Sequence, residues 1–291
     1  MSQDKNTIIN AMTVDVEDYL HVSAFEKYIR RDDWSDLPCR VERNTERVLE
    51  LFDEHRVKGT FFMLGWVAER YPHLVRRIVD GGHELASHGY SHVRVTDQNP
   101  VEFREDVVRT KHLLEDVAGS GVQGYRAASY SIGAKNLWAL QVLEETGHRY
   151  SSSIYPIRHD LYGMPAAPRF PFYPHTDKGL LEIPITTVEL FSQKLPCGGG
   201  GYFRLLPYPW SRWAMRRVNK RDRQPCVFYF HPWEIDPQQP RQRVGLKTWF
   251  RHYTNLDRME QRLGKLLSEF RWGRMDQVFL KTDAASRADA A

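Results

Sequence analysis

Short apolar, β-branched runs alternate with amphipathic helical patterns from Thr7 to Ile154, and this alternation limits the fold more than any other feature. Thr7–Val16 reads as a buried first strand that ends in acids, Asp15, Glu17 and Asp18. Val41, Thr45, Val48, Leu49 and Phe52 recur at helical spacing and predict a helix over 41–56, followed by a strand over Gly59–Leu64. Val67, Tyr71, Leu74, Ile78 and Val79 predict one further helix, closed by Gly81 and Gly82. The series continues with a strand over Glu84–Ser87, a helix marked by Phe103, Val107, Leu114 and Val117, and a strand over Val122–Arg126. A helix marked by Leu137, Leu140 and Leu143 and a strand over Tyr150–Ile154 complete it. The units recur about every 25–35 residues in type but not in sequence, which points to a parallel α/β sheet or barrel and not to a tandem array.

The alternation breaks over 156–210, a stretch rich in Pro, Tyr and Phe that contains Cys197-Gly-Gly-Gly-Gly201. The glycine run reads as a loop whose backbone approaches something closely. Cys226–Phe230 is a last strand with His231 at its end, and Leu256, Met259, Leu263, Leu266, Leu267 and Phe270 predict a final helix. Residues 1–280 read as a single domain with an irregular insertion at about 156–210 and a helical extension at about 245–280, and residues 281–291 are expected to fray. With 41% apolar and 27% charged residues among 291, the chain can build a core without staples. The net charge of +4 has no dominant Lys/Arg block, and Arg212–Arg223 reads as a solvated helix face, so no nucleic-acid partner is expected. Three cysteines without a Cys-x-x-Cys pair disfavour a disulfide framework. No apolar run is long enough for a membrane span, and the N-terminus lacks the basic and apolar regions of a signal peptide, so a cytoplasmic location is expected.

In parallel α/β folds, chemistry gathers at the C-terminal ends of the strands. There this sequence places Asp15, Glu17 and Asp18 on the first strand, His88 and His92 after the third, Arg126 at the end of the fourth and His231 after the last. His88 and His92 are four residues apart, about one helical turn, so both rings can point the same way. Two neutral imidazoles with a carboxylate and one open position make a catalytic zinc site. With twelve histidines in the chain, that spacing alone is weak. Each residue also has a plain structural reading: Asp18 as a helix cap, Arg126 in an ion pair, His231 as a hydrogen-bonded core histidine. Their joint placement on one rim is what favours chemistry.

The ordered motifs Thr-Val-Asp15-Val-Glu17-Asp18, Ser-His88-x-x-x-His92, Gly-Tyr-Arg126-Ala-Ala-Ser-Tyr and Tyr-Phe-His231 resemble those of the polysaccharide deacetylases, the NodB-homology proteins of carbohydrate esterase family four. The resemblance covers about 10–235. Asp-Val-Glu-Asp-Tyr, Ser-Ser-Ser-Ile-Tyr-Pro, Gly-Gly-Gly-Gly-Tyr-Phe-Arg-Leu-Leu-Pro and His-Pro-Trp-Glu are closest to the subgroup of exosortase/PEP-CTERM-linked exopolysaccharide loci. The resemblance implies a distorted, incomplete (β/α) barrel and hydrolysis of N-acetyl groups on amino sugars, assisted by one divalent metal ion, zinc foremost. By matching position, Asp15 would be the general base, His88 and His92 metal ligands, Arg126 the group that orients the base, and His231 the acid that protonates the departing amine. The third ligand would be Glu17 or Asp18, with Asp18 favoured as the usual ligand type. The substrate would be an N-acetylated glycan.

Two departures from the family pattern stand out. Ala128 replaces a proline in the arginine motif, and Ser151 replaces an aspartate that belongs to the charge network around the arginine. They leave open a catalytically weakened glycan-binding protein on the same fold. A metal-dependent hydrolase of small non-peptide amides is the other alternative. Tyr155, Tyr162, Phe170, Phe172 and Tyr173 suit either stacking on sugar rings or a covered core.

Overall fold

The computed structural model of the chain describes residues 8–160, 162–175 and 179–280. Thr7 and the tail expected at 281–291 lie outside the described residues. Six parallel strands follow one another across the sheet: β1 (Ile9–Val16), β2 (Thr60–Met63), β3 (Glu84–Ser87), β4 (Gly124–Tyr125), β5 (Tyr150–Ser151) and β6 (Leu181–Glu182). A hairpin, β7 (Thr187–Leu190) and β8 (Gln193–Pro196), lies apart from this sheet. Two late strands return to β1 in parallel: β9 (Val227–Phe230), opposite Ala11–Val14, and β10 (Arg271–Gly273), opposite Ile9–Ala11. The helices that wrap the sheet begin with α1 (Val41–Glu54), α2 (Gly65–Arg70), α3 (Pro72–Asp80), α4 (Pro100–Ala118) and α5 (Trp138–Glu145). They continue with α6 (Gly200–Leu205), α7 (Tyr208–Arg217), α8 (Leu246–Tyr253), α9 (Leu256–Glu269) and α10 (Met275–Phe279).

Burial on both faces explains the continuous apolar runs. Phe61 and Met63 join the large core under the helices, while Phe62 faces the barrel interior with Tyr150, Tyr155 and Tyr229. The barrel is incomplete because β6 and β9 do not pair. Single contacts span the gap: Val227 N–H donates to Thr186 Oγ1 at 2.6 Å and Tyr229 N–H to the Gly198 carbonyl at 2.8 Å. The glycine run lies here, and the close approach expected of it is real. A Cβ on Gly198 would strike the Val227 carbonyl oxygen, and one on Gly200 the Glu234 carboxylate.

Three differences from the sequence reading have local causes. The helix expected through Val67–Val79 is two helices, because Pro72 pushes Tyr71 out of the helical region (φ −128°, ψ 59°) and then starts α3. The strand expected over Tyr150–Ile154 ends at Ser151, because the Ser153 and Ile154 amides turn to the Glu182 carboxylate at 2.9 and 2.8 Å. The irregular insertion contains β6, the β7–β8 hairpin and α6. No described helix is long and apolar enough to cross a membrane.

Candidate active site

Glu17, just past β1, meets His88 and His92, which follow β3. Glu17 Oε1 lies 2.8 Å from His88 Nε2 and 3.1 Å from His92 Nε2, and all three residues are buried. His88 Nδ1 is 2.8 Å from the Arg126 carbonyl, which can only accept, so Nδ1 carries the hydrogen. With Nδ1 so occupied, Nε2 faces the Glu17 carboxylate. The contact is satisfied either by a metal cation held between the two or by a proton on Nε2, since burial lowers the His88 pKa but Glu17 and Asp15 outweigh it and raise it. A divalent metal fits this donor set, with three ligand atoms within 4.8 Å of one another and no other such cluster among the described residues. Burial raises the Glu17 pKa, but His92, His231 and His88 outweigh it and hold the carboxyl well below its ordinary range.

The two rings do not meet through helical pitch, as the four-residue spacing suggested. Residues 88–92 form a turn with Gly89 at φ 73° and His92 at φ 54°. The turn is pinned from three sides. Gly65 and Trp66 amides donate to the Gly89 and Tyr90 carbonyls at 2.9 Å. The Tyr90 amide donates to the Asp106 carboxylate at 3.1 Å, and Arg31 donates to the His92 carbonyl at 3.3 Å.

Asp18, favoured in sequence as the third ligand, is not part of this cluster. Strand alternation sends Asp15 and Glu17 to one side and Asp18 to the other. The Asp18 carboxylate accepts from the Tyr19 amide at 2.7 Å, the Val41 amide at 2.8 Å and the Arg40 amide, so it caps a short 3-10 turn and the start of α1. These roles separate by experiment. Glu17→Gln should lower bound metal below stoichiometry, as read by elemental analysis. Asp18→Ala should retain the metal and lose about 1–2 kcal/mol in a denaturant titration. Loss of metal in Asp18→Ala with Glu17→Gln still loaded would reverse the assignment.

Arg126, buried at the end of β4, holds Asp15. Its Nη1 donates to Asp15 Oδ1 at 2.5 Å and to Thr13 Oγ1 at 2.9 Å, and Nε and Nη2 donate to Ser152 at 3.1 Å. The guanidinium sits 3.9 Å over the Phe62 ring. Asp15 Oδ2 is left facing the pocket, 3.5 Å from the Tyr130 hydroxyl and 3.9 Å from His231 Nε2. Ser129 and Tyr130 are both left-handed (φ 53° and 51°), a conformation that turns the Tyr130 ring into the pocket wall. The aspartate missing at Ser151 has a neighbour in its place. Glu182 pairs with Ser151 across β5–β6 and is fully buried, and burial raises its pKa against the pull of Ser151, the Ile154 and Ser153 amides and Arg126.

His231, at the end of β9, completes the ring of residues. Its Nδ1 donates to Glu234 Oε1 at 2.9 Å, and Glu234 Oε2 accepts from Arg204 Nε at 2.6 Å. Arg204 is locked in turn by the carbonyls of His252 and Thr254 at 3.0 and 2.8 Å. Burial lowers the His231 pKa, but Glu17, Glu234 and Asp15 overcome it and raise it to about 9. Glu234 itself is raised by burial but pulled down to about 2 by Arg204 and His231. In sequence, Glu234 is simply the last residue of the motif His-Pro-Trp-Glu. The signal was there, since an acid three residues after a strand-end histidine can reach back to it, but the Arg204 that anchors it lies thirty residues earlier.

Asp15, Glu17, His88, His92, Tyr130 and His231 line one pocket of about 190 Å³, with Tyr162 and Trp233 in its walls, while Arg126 and Glu234 support it from behind. Of the five aromatics weighed for sugar stacking, only Tyr162 reaches it. Tyr155 belongs to the core, Phe170 and Phe172 pack half-buried against it, and Tyr173 is exposed and outside the pocket lining. A larger cavity, about 670 Å³, opens beside the first residues of β1 and is lined by Arg216, Lys220 and Arg271, without a metal-ligand cluster.

Residues 31–151 match the family model "Polysaccharide deacetylase", and residues 152–280 match "Domain of unknown function (DUF3473)". A Bacillus cereus peptidoglycan-N-acetylglucosamine deacetylase is 39% identical over 75 residues, 26% of this chain and 27% of that protein. A Bradyrhizobium chitooligosaccharide deacetylase is 29% identical over 112 residues, 38% of this chain and 49% of that protein. The chain thus spans between a quarter and half of these relatives. Among solved structures, one from Mycobacterium smegmatis ascribed to the polysaccharide deacetylases superposes with TM-score 0.64 at 21% identity, covering 100% of this chain and 93% of that one. Puue allantoinase superposes with TM-score 0.59 at 16% identity, covering 95% and 90%. At these identities the two structures speak to the shared incomplete barrel alone. The family model and the names of the curated relatives thus support a polysaccharide deacetylase relationship over residues 31–151, less than half of the chain.

Proposed function

We propose that this chain is a metal-dependent hydrolase that removes N-acetyl groups from amino sugars of a polysaccharide or its precursor. One observation carries the reading: Glu17, His88 and His92 converge on a single pocket between the Asp15–Arg126 pair and the His231–Glu234 pair. The names of the relatives support a glycan rich in N-acetylglucosamine. The subgroup motifs quoted above support a role in exopolysaccharide biosynthesis. A divalent ion held by Glu17, His88 and His92, zinc foremost, would polarise the acetamide carbonyl and acidify a water. Asp15 uses Oδ2, the oxygen not held by Arg126, to take the proton of the attacking water. Arg126 keeps that carboxylate in one orientation. His231 gives its Nε2 proton to the departing nitrogen, so that amide and water become acetate and amine.

The two family-model matches meet at residues 151 and 152, inside one sheet, and His88, His92 and Arg126 come from one side of that boundary while His231 comes from the other. This supports residues 1–280 as one catalytic domain. Three unpaired cysteines support a reducing compartment, the cytoplasm. The test is acetate release from N-acetylated oligosaccharides before and after metal removal. Metal-restored activity is the expected result. Metal retention without acetate from any glycan tried would favour a binding protein, and hydrolysis of a ureide alone would favour the small-amide alternative.

Glu234 gives a sharper expectation. Glu234→Gln keeps a hydrogen-bond acceptor for His231 Nδ1–H but removes the charge that supports its protonation. N-deacetylation should fall about 10–100-fold, as for other groups that orient a catalytic side chain. Hydrolysis of 4-nitrophenyl acetate should fall far less, because the nitrophenolate leaves without a proton. Equal losses on both substrates would remove Glu234 from the acid's support.

A further inference from the structure

Most large apolar side chains of the described residues are covered, and nine are exposed: four of these nine, Tyr28, Leu246, Trp249 and Phe250, gather at one place. Leu246, Trp249 and Phe250 sit at i, i+3 and i+4 of α8, with exposures of 88%, 47% and 57%. Tyr28 extends the patch, its hydroxyl accepting from the Gly245 amide at 3.4 Å. The opposite side of α8 is buried: His252 stacks on Trp233 at 4.3 Å, and Trp233 stacks on His231 at 5.2 Å. The helix therefore lies beside the pocket wall and turns an apolar stripe outward.

Within α8 and the segment that leads into it the charges have one sign. From Pro237 to Leu256 the sequence has no Asp or Glu, but it has Arg241, Arg243, Lys247 and Arg251. Asp160 is the acid that meets Lys247 and Arg251, and both cations keep much of their exposure, 70% and 44%. A short helix with Trp, Phe and Leu on one side and Arg and Lys at its margins is suited to the boundary between lipid headgroups and acyl chains. Leu246, Trp249 and Phe250 are not among the residues that line the pocket of Glu17, His88 and His92, so the stripe is no wall of that site. A second copy docked about a two-fold axis would bring like cations together.

We propose that α8 docks the protein on an anionic membrane surface, with Leu246, Trp249 and Phe250 entering the headgroup layer and Arg241, Arg243, Lys247 and Arg251 meeting lipid phosphates. The pocket then opens beside that surface. Docking does not depend on the chemistry of the pocket, and its readout is separate from acetate release.

The full chain is sedimented with vesicles of phosphatidylglycerol and phosphatidylcholine, and with phosphatidylcholine alone, at low and high salt. Binding to the anionic vesicles is expected, weakened by salt. In Leu246→Ser/Phe250→Ser it should fall at least about tenfold with unchanged melting temperature. In Arg241→Glu/Arg243→Glu it should fall further, since each cation near such a surface is worth a factor of about five. Brominated acyl chains should quench a fluorescence component that Trp249→Phe removes. Trp213→Ser, which changes the exposed tryptophan on α7, should leave binding intact. The proposal is overturned by no binding to anionic vesicles, by binding that survives Leu246→Ser/Phe250→Ser, or by binding lost in Trp213→Ser. It is equally overturned if the Trp249 signal responds to soluble N-acetylated oligosaccharide, or to protein concentration, and not to vesicles.

Discussion

His88→Ala is expected to lose bound metal and acetate release together, whereas His231→Ala should keep the metal and lose turnover. The geometry divides the labour. His88 Nε2 is 2.8 Å from Glu17 Oε1 and its other nitrogen is tied to the Arg126 carbonyl, so the ring is fixed to present one lone pair to the cluster. His231 Nε2 stands 4.0 Å from the same Glu17 oxygen and 3.9 Å from Asp15 Oδ2, between the proposed ligands and the proposed base. Removing a proton donor of this kind lowers turnover by about 10²–10⁴-fold. Metal content by elemental analysis and acetate release are read on the same samples. If His231→Ala emptied the metal site, His231 would be a ligand and the assignment of the acid would fall.

Asp15→Asn should lower turnover by about 10²–10⁴-fold with metal still bound. Asparagine is nearly the same size and keeps an oxygen for Arg126 Nη1, so the β1 backbone has no reason to move. It cannot take a proton from water. It also leaves the Arg126 guanidinium, which is fully buried, without its counter-charge, and breaking a buried pair destabilises by up to about 3–5 kcal/mol. Turnover is therefore measured well below the variant's own melting temperature. Unchanged turnover in a folded, metal-loaded Asp15→Asn would mean that another group is the base.

What the sequence made legible, and what it hid, follows from the range of the interactions. Asp15, Arg126 and His231 were readable because each stands at the end of a strand that periodicity had already located. The choice between Glu17 and Asp18 was not, because it turns on the amides of Arg40 and Val41, more than twenty positions away. Alternation along β1 would have favoured Glu17, had the strand been trusted to its last residue. Tyr71-Pro72 was a legible break that the apolar spacing across it concealed. β6 and β10 span two and three residues, too few to leave a period, and they become strands only through β5 and β1. Glu182 could not have been linked to Ser151 before that register was known.

The pairing of β1 has a consequence for biosynthesis. Ala11 lies opposite both Val227 and Gly273, so the strand that carries Asp15 gains those neighbours only when more than two hundred later residues are available. Contacts this distant along the chain make for slow folding. While the ribosome is still making the second half, the early βα units can assemble around β2 and β3, but the β1 edge that later pairs with β9 stays open. An open parallel edge recruits foreign strands. The nascent protein should therefore be most prone to aggregation between synthesis of the histidine turn and synthesis of β9, and fragments truncated before Val227 should be captured by chaperones in ribosome-release assays far more than the complete chain.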